Sequence, residues 1–527
     1  MASVGSLHPG SARVKRSPVS DVVSSVSATG VTTGSDRTEA KEDAVSAART
    51  KATGSTGERS SGEGETGGRP ETTLVIFGAG GDLTSRLVLP ALGQLLAREP
   101  ARRVRIVGAS RNAEPQATWR REVRRAFAKG VKGDELPEAA ERAAKTTTFA
   151  SVDITDTKAL RAFLAEIEAP AVLYFAVPPA VAASACHGLK PADLPDGTVL
   201  ALEKPFGSDE ASARELNAVL AGLVPETQVF RVDHFLGRST TLNLLGARFA
   251  NRVFEPVWSA EHVESVVIRY DEALGLEGRA GYYDKAGALI DMIQSHLLQL
   301  LAFVAMDQPA TLDEQDLRSA TAAVLRATHV WDDNPVHHSR RARYTAGTVG
   351  DKSMPDYADE PGVDPSRETE TLAEATFEVR TARWAGVPFT LRSGKAIGDP
   401  RTEVAVRLRP VRHLPTGLTG DAPGSLLRFA LGPDRIELTI NVNGGEDPFA
   451  LAPATLAADL GAGALLAYTE VLEGVLDGDP TLSVRGDSAE QCWRIVQPII
   501  DAWRRGEVPL DEYAAGSAGP EAWPVID

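Results

Sequence analysis

Position 296 is a histidine set inside an apolar run. The stretch from Gly281 to His296 continues, apolar but for Gln299, to Met306. Leu289, Met292, Ile293, Leu297, Leu300 and Val304 recur at helical spacing, and Leu298 and Leu301 cover other directions. The segment therefore reads as a buried helix from Ala288 onward. An imidazole there needs a polar partner, because an unpaired buried polar group costs about 1–3 kcal/mol. Two readings stand. His296 is a core histidine satisfied by the backbone, or it is a general base, the role that neutral imidazole suits near pH 7. Asp291, one turn upstream, either accepts from a bound hydroxyl or simply favours the positive end of its helix. Lys204, Asp233 and His234 each follow a short apolar run ending in a polar turn.

Those polar groups need a sheet to position them. Thr73 to Phe77 reads as a buried strand, followed by Gly78-Ala79-Gly80-Gly81-Asp82-Leu83-Thr84-Ser85 and a helix through Leu96. A glycine turn between strand and helix lets the backbone approach a pyrophosphate, whose charge meets the helix N-terminus. The spacing departs from G-x-G-x-x-G, so an ordinary tight turn is the competing reading. The next strand, Val104 to Ser110, ends in Arg111. An arginine there can pair with the 2′-phosphate of NADP, where an acid would suit NAD; as a solvated loop residue it would do neither. Further strands are expected at 171–177, 198–202 and 229–232, with Asp153 closing another. Strands alternating with helices predict a Rossmann-type, doubly wound α/β sheet over 71–236, which binds ligands at the carboxyl ends of its strands. Lys204, Asp233 and His234 stand at such ends.

Beyond 236 the pattern changes. Strands are expected at 262–270, 376–380, 404–408, 427–431 and 436–442, with Gly432-Pro433-Asp434 turning a hairpin. Helices are expected at 240–249, 455–476 and 488–505, and a long polar loop at 331–368. Residues 237–527 are thus an α+β domain with a large antiparallel sheet. Residues 1–70, rich in Ser, Gly, Thr and Ala, read as a disordered tail.

The chain has 527 residues and a net charge of −16, which argues against nucleic acid and anionic membrane partners. Its two cysteines make neither a disulfide framework nor a metal cluster, and point to a reducing cytoplasm. No uninterrupted apolar run approaches the roughly 20 residues of a membrane span.

Taken together, Gly-Ala-Gly-Gly-Asp-Leu at 78–83, Glu-Lys-Pro-Phe-Gly at 203–207 and Arg-Val-Asp-His-Phe-Leu-Gly-Arg at 231–238 resemble the glucose-6-phosphate dehydrogenase family. So do Arg248 to Asn251, Ala280 to His296, Trp384 to Lys395 and the ending Tyr513 to Pro520. The resemblance implies oxidation of glucose 6-phosphate at C1 with hydride transfer to NADP. It implies that His296 is the base and that Asp233 holds its imidazole. Lys204, before a cis Pro205, would touch both cofactor and sugar. His234 would bind the phosphate, with Glu272, Asp291 and Lys395 on sugar hydroxyls and phosphate. Gly78 to Ser85, Arg111, Asp153 and Tyr174 would line the cofactor. A homodimer or homotetramer built on the antiparallel sheet is implied too. Four positions depart from the family pattern: Phe235, Arg238, Leu87 and Pro400, with Arg401 supplying a nearby cation. Arg238 keeps a phosphate-binding charge. A same-fold aldose dehydrogenase with another sugar or with NAD, and a non-catalytic relative, are the competing readings.

Overall fold

The computed structural model describes residues 71–527 apart from 132, 134, 446, 462–464, 525 and 527, so the expected tail at 1–70 lies outside the described residues. Six strands form the first sheet in parallel: β1 (Thr72–Phe77), β2 (Val104–Ser110), β3 (Thr148–Ser151), β4 (Ala171–Phe175), β5 (Val199–Glu203) and β6 (Val229–Val232). Their order is β6-β5-β4-β1-β2-β3, so the winding reverses between β1 and β4, and ligands of such sheets sit above that reversal. β1 and β4 bury nearly every residue and β5 its three central ones, as a sheet covered on both faces requires.

A seventh strand, Ser483–Val484, joins this sheet antiparallel to β6 from far along the chain. Helix Ala467–Asp477 packs on the helix after the glycine turn, and helix Gly486–Arg504 packs on Glu210–Leu223. The C-terminal part of the chain thus returns to complete the first sheet and its helical cover.

Among the described residues, ten strands make the second sheet. It is mostly antiparallel, but Val263–Asp271 and Phe389–Gly394 run parallel at its centre. One hydrophobic core runs unbroken from Phe175 and Leu202 of the first sheet through Ile293 and Leu297 to Phe389 and Leu391 of the second. The helix Ala280–Ala305 lies in that core. Length and composition alone would let it cross a membrane, but 83% of its apolar window is buried within this fold.

Two expectations need correction. Residues 455–476 are not one helix: Leu451–Asp459 is a strand zipped antiparallel to Asp434–Asn443, and the helix begins at Ala467. Cross-strand pairing overrides the weak propensity of its alanines. The stretch 331–368 is not one loop, because Ser339–Thr345 pairs with Leu372–Val379 and Gly347–Val349 with Lys352–Met354. The helix expected from Ala288 does start there, after a kink at Gly287, whose φ of 65° is left-handed and separates it from a preceding helix that begins at Ala280.

Candidate active site

The break at Gly287 sets the geometry. A Cβ there would lie 2.2 Å from Glu370 Oε1, so glycine alone lets that carboxylate close on the chain. Glu370 Oε1 accepts from Leu289 N at 2.9 Å, capping the helix that restarts there. Burial pushes the Glu370 carboxyl up to about 7. From Leu289 to Leu297 the helix is wound as a π-helix. Asp291 and His296, five residues apart, would stand about 140° apart on an α-helix. An i→i+5 winding brings them toward one side.

His296 faces β6. Its Nδ1 lies 2.6 Å from Asp233 Oδ1, with both side chains buried. Phe235 stacks on the imidazole at 4.1 Å and 14° between planes. Burial, reinforced by the Lys204 charge, lowers the His296 pKa against the pull of Asp233, so the imidazole is neutral at pH 7. Asp233 pays a burial cost, but His296 holds its carboxyl below the usual range. A neutral imidazole oriented by a carboxylate can take a proton from a hydroxyl. Asp233, His234 and His296 also bring possible ligand atoms within 4.8 Å of one another. The short hydrogen bond already engages two of those groups.

Lys204 follows β5, and its peptide bond to Pro205 is cis. Its Nζ donates to Asp291 Oδ1 and to Asp291 O, both at 2.7 Å. Burial opposes both charges, yet each partner outweighs it: Lys204 is raised and Asp291 is lowered to about 2. A second pair, Lys395 Nζ to Glu272 Oε2 at 2.6 Å, follows from strand pairing. Gly394 stands in register with Asp271 on parallel strands, so the residues after them emerge side by side. The Lys395 ammonium sits 5.0 Å from the Tyr283 ring centroid, which ties this pair to the helix at Ala280–Ala288.

His234 lies edge-on to His296 at 4.8 Å and flat against Tyr468 at 5.3 Å. Burial first, then coupling to the His296 imidazole and the Lys204 and Arg238 charges, push its pKa well down against the pull of Asp233. The Arg238 guanidinium is 4.5 Å from the Phe235 ring centroid and 3.4 Å from the Tyr270 hydroxyl. Arg401 contributes its backbone oxygen to Asp271 N, and its side chain lies toward Asp399 at 4.0 Å.

The glycine turn sits at the carboxyl end of β1. Gly78 has φ +85°, and a Cβ there would lie 2.2 Å from Ala176 O, whereas Gly80 faces open space. Gly81 N and Thr84 Oγ1 close the turn onto Gly78 O at 2.9 and 3.1 Å. Ser85 Oγ bonds Asp82 O, and Leu83 is half-buried beside them. Ala79 is buried beneath the turn, and Leu87 is exposed. Arg111 is exposed at the end of β2. Thr155 holds the Asp153 carboxylate at 2.7 and 3.0 Å and lowers its pKa, with a smaller contribution from Arg111.

One expected cofactor residue is placed elsewhere. Tyr174 is wholly buried inside β4, with its hydroxyl donating to Glu203 Oε1 at 2.6 Å. With no exposed surface, the side chain holds Glu203. Tyr468 donates to the same carboxylate at 3.3 and 3.4 Å, and burial raises Glu203 to about 7. Neither Tyr468 nor Tyr282, whose hydroxyl reaches Asp291 Oδ1 at 3.2 Å, is flagged by the sequence reading. Glu203 and Tyr282 stand within stretches that carry the family resemblance, whereas Tyr468 has no local signal.

Two family models match in tandem: the NAD binding domain of glucose-6-phosphate dehydrogenase over residues 75–243 and its C-terminal domain over 245–525. The chain belongs to the glucose-6-phosphate dehydrogenase family. It is 38% identical over 463 residues to the glucose-6-phosphate 1-dehydrogenase of Gluconobacter oxydans, covering 85% of this chain and 94% of that one. The corresponding protein of Treponema pallidum is 35% identical, with coverages of 85% and 92%. The glucose-6-phosphate 1-dehydrogenase structure from Mycobacterium avium superposes with a TM-score of 0.74 at 32% identity, over 86% of this chain and 96% of that one. A glucose-6-phosphate dehydrogenase solved in complex with glucose 6-phosphate matches with the same TM-score and coverages at 29% identity. Family membership accounts for both parts of the fold: the parallel sheet and the large, mostly antiparallel one.

Proposed function

We propose that this chain oxidises glucose 6-phosphate at C1 to the lactone, with NADP as the hydride acceptor. The observation that carries the reading is the buried His296–Asp233 pair at 2.6 Å on the ligand edge of the first sheet. His296 takes the C1 hydroxyl proton at Nε2 as the C1–H bond breaks and the carbonyl forms. Asp233 holds Nδ1 and stabilises the imidazolium that results. Asp291 and Glu272 accept from sugar hydroxyls, and Lys204 moves from Asp291 toward substrate and cofactor. His234, Arg238 and Lys395 receive the phosphate, with Arg401 as a further cation at the rim. His234 binds as a neutral N–H donor, which leaves the cationic share to Arg238 and Lys395.

The residues present fit a nicotinamide dinucleotide. The turn Gly78 to Ser85 offers backbone N–H groups to a pyrophosphate, and Arg111, exposed at the end of β2, would pair with a 2′-phosphate. Bound there, the nicotinamide supplies the hydride acceptor. Asp153 sits beside Arg111 and helps shape that end of the crevice.

Residues 71–236 serve as the dinucleotide-binding unit and 237–527 as the substrate and dimerisation unit. The exposed Val442, Phe449, Leu456 and Leu460 on and around the outermost strands support a homodimer built on that sheet. Cys186 and Cys492 are buried and unpaired, as suits a reducing cytoplasm. The test is absorbance at 340 nm with purified protein, NADP and NAD, and glucose 6-phosphate against free glucose. Turnover with glucose 6-phosphate and NADP is the expected result. Faster turnover with free glucose would favour the aldose reading, and none with any sugar the non-catalytic one.

A further inference from the structure

Asp233 is used on one oxygen only. Its Oδ1 takes His296 Nδ1 and Phe235 N, at 2.6 and 2.9 Å. Its Oδ2 is buried and has no hydrogen-bond partner among the described residues. An unsatisfied buried carboxylate oxygen is expensive, so its surroundings should answer it. Asp233 lines a small cavity of about 10 Å³ between the end of β5, the π-helical turn and helix Gly486–Arg504. Besides Asp233, the cavity's polar lining comes from Lys204, Gln294, Ser295, Gln299 and Cys492. Gln299, one turn beyond His296, donates Nε2 to Cys492 Sγ at 3.4 Å, and both side chains are buried. A cavity holds one water when it offers roughly 10–15 Å³ and two or more polar partners.

We propose that this cavity is a resident-water site, and that Gln299 and Cys492 position Asp233 by holding a water that donates to Oδ2. The water fixes the carboxylate plane, and the carboxylate fixes the imidazole. Gln299 and Cys492 are positioning residues, since they touch neither substrate nor cofactor in this scheme. The proposal rests on the reading of His296 as the base.

Other titratable groups bear on the pair. Lys204 and Glu203 act from β5, Asp291 from the π-helical turn, His234 from the adjoining residue and Tyr468 from helix Ala467–Asp477. Cys492 faces it from the third side as a neutral thiol, because burial pushes it up to about 12. None of these is altered by the substitutions below except Cys492 itself.

The experiment uses the full chain with Cys492→Val, Gln299→Met and the conservative Cys492→Ser. With sugar phosphate and dinucleotide saturating, kcat is followed from pH 5.5 to 9. The first two variants should lose about fivefold in kcat, the effect of one ordinary hydrogen bond, with KM unchanged. Their acid limb should move to higher pH, because a carboxylate stripped of a donor holds the imidazolium more tightly. Cys492→Ser should restore both. A fall in Tm with kcat and acid limb at wild-type values would make these residues packing alone and overturn the proposal. Should the valine variant not fold, a high-resolution crystal structure of the wild type decides: density within hydrogen-bond reach of Oδ2 and Gln299 supports the site, and its lack sinks it. Wild-type protein without turnover would remove His296 as base, while that density still settles the water independently.

Discussion

In the proposed reading, the two sides of the crevice recognise anions in opposite ways. At the glycine turn the means are backbone N–H groups, a helix end and an exposed Arg111, all within about forty residues of one another. On the sugar side, charged side chains from distant segments are already paired: Lys204 with Asp291, Lys395 with Glu272, His296 with Asp233. The nucleotide side is shaped and open before its ligand arrives. The sugar side stores its charges against each other and must exchange those partners for substrate.

Pre-pairing is a physical necessity there. An isolated charge at such depth would shift its pKa and neutralise, whereas a paired one persists. The depressed Asp291 and raised Lys204 are two views of that single interaction. Arg111 has no comparable requirement because water already solvates it.

The contrast can be broken at four points. The largest effect belongs to the sugar side: His296→Asn should lower kcat by roughly 10²–10⁴, the usual worth of a general base. Steady-state kinetics with near-normal kcat would remove it from that role. Asp291→Asn comes next. It leaves the Lys204 ammonium without its counter-charge and removes a sugar acceptor, so kcat/KM should fall by about 10²-fold, as for the loss of a charged hydrogen bond of about 1.5–3 kcal/mol. KM for dinucleotide should barely move; equal losses for both substrates would show that the two sides are not separable.

On the nucleotide side, Arg111→Ala should weaken NADP by about tenfold and leave NAD nearly unchanged, measured as the ratio of the two kcat/KM values. Equal losses would refute the 2′-phosphate assignment. The smallest effect is one of stability. Glu370 titrates near 7 in the fold against an ordinary value of 4.5, so the folded chain holds its proton more tightly. Its contribution is full below about 4.5 and is lost as pH rises through 7. Glu370→Gln should therefore flatten the fall in Tm between pH 5 and 8. Asp291 acts in the other sense and in another window, losing its contribution only as pH falls from 3.8 toward 2. An unchanged slope in the glutamine variant would mean that the cap is not the titrating group.

What could be read from the chain follows the same division. The glycine turn and the strands β1, β2 and β6 were legible because each depends on neighbours in sequence. The strand Leu451–Asp459 was not, since its alanines suit a helix until a partner strand is supplied. Tyr468 was also out of reach: it meets Glu203 across 265 positions. Tyr174 was misplaced because a tyrosine within a buried strand can face either layer, and only packing chooses.

The amino-acid order by itself determined which groups have the right chemistry and which segments alternate as strand and helix, because propensity and periodicity are local. Tertiary structure decided the rest. It restarted the helix at Gly287 against Glu370 and wound it as a π-helix, so that Asp291 and His296 turn toward one side. A helical period of 3.6 assumed from sequence cannot anticipate a π-winding, nor a cap that comes from Glu370, 81 positions along the chain.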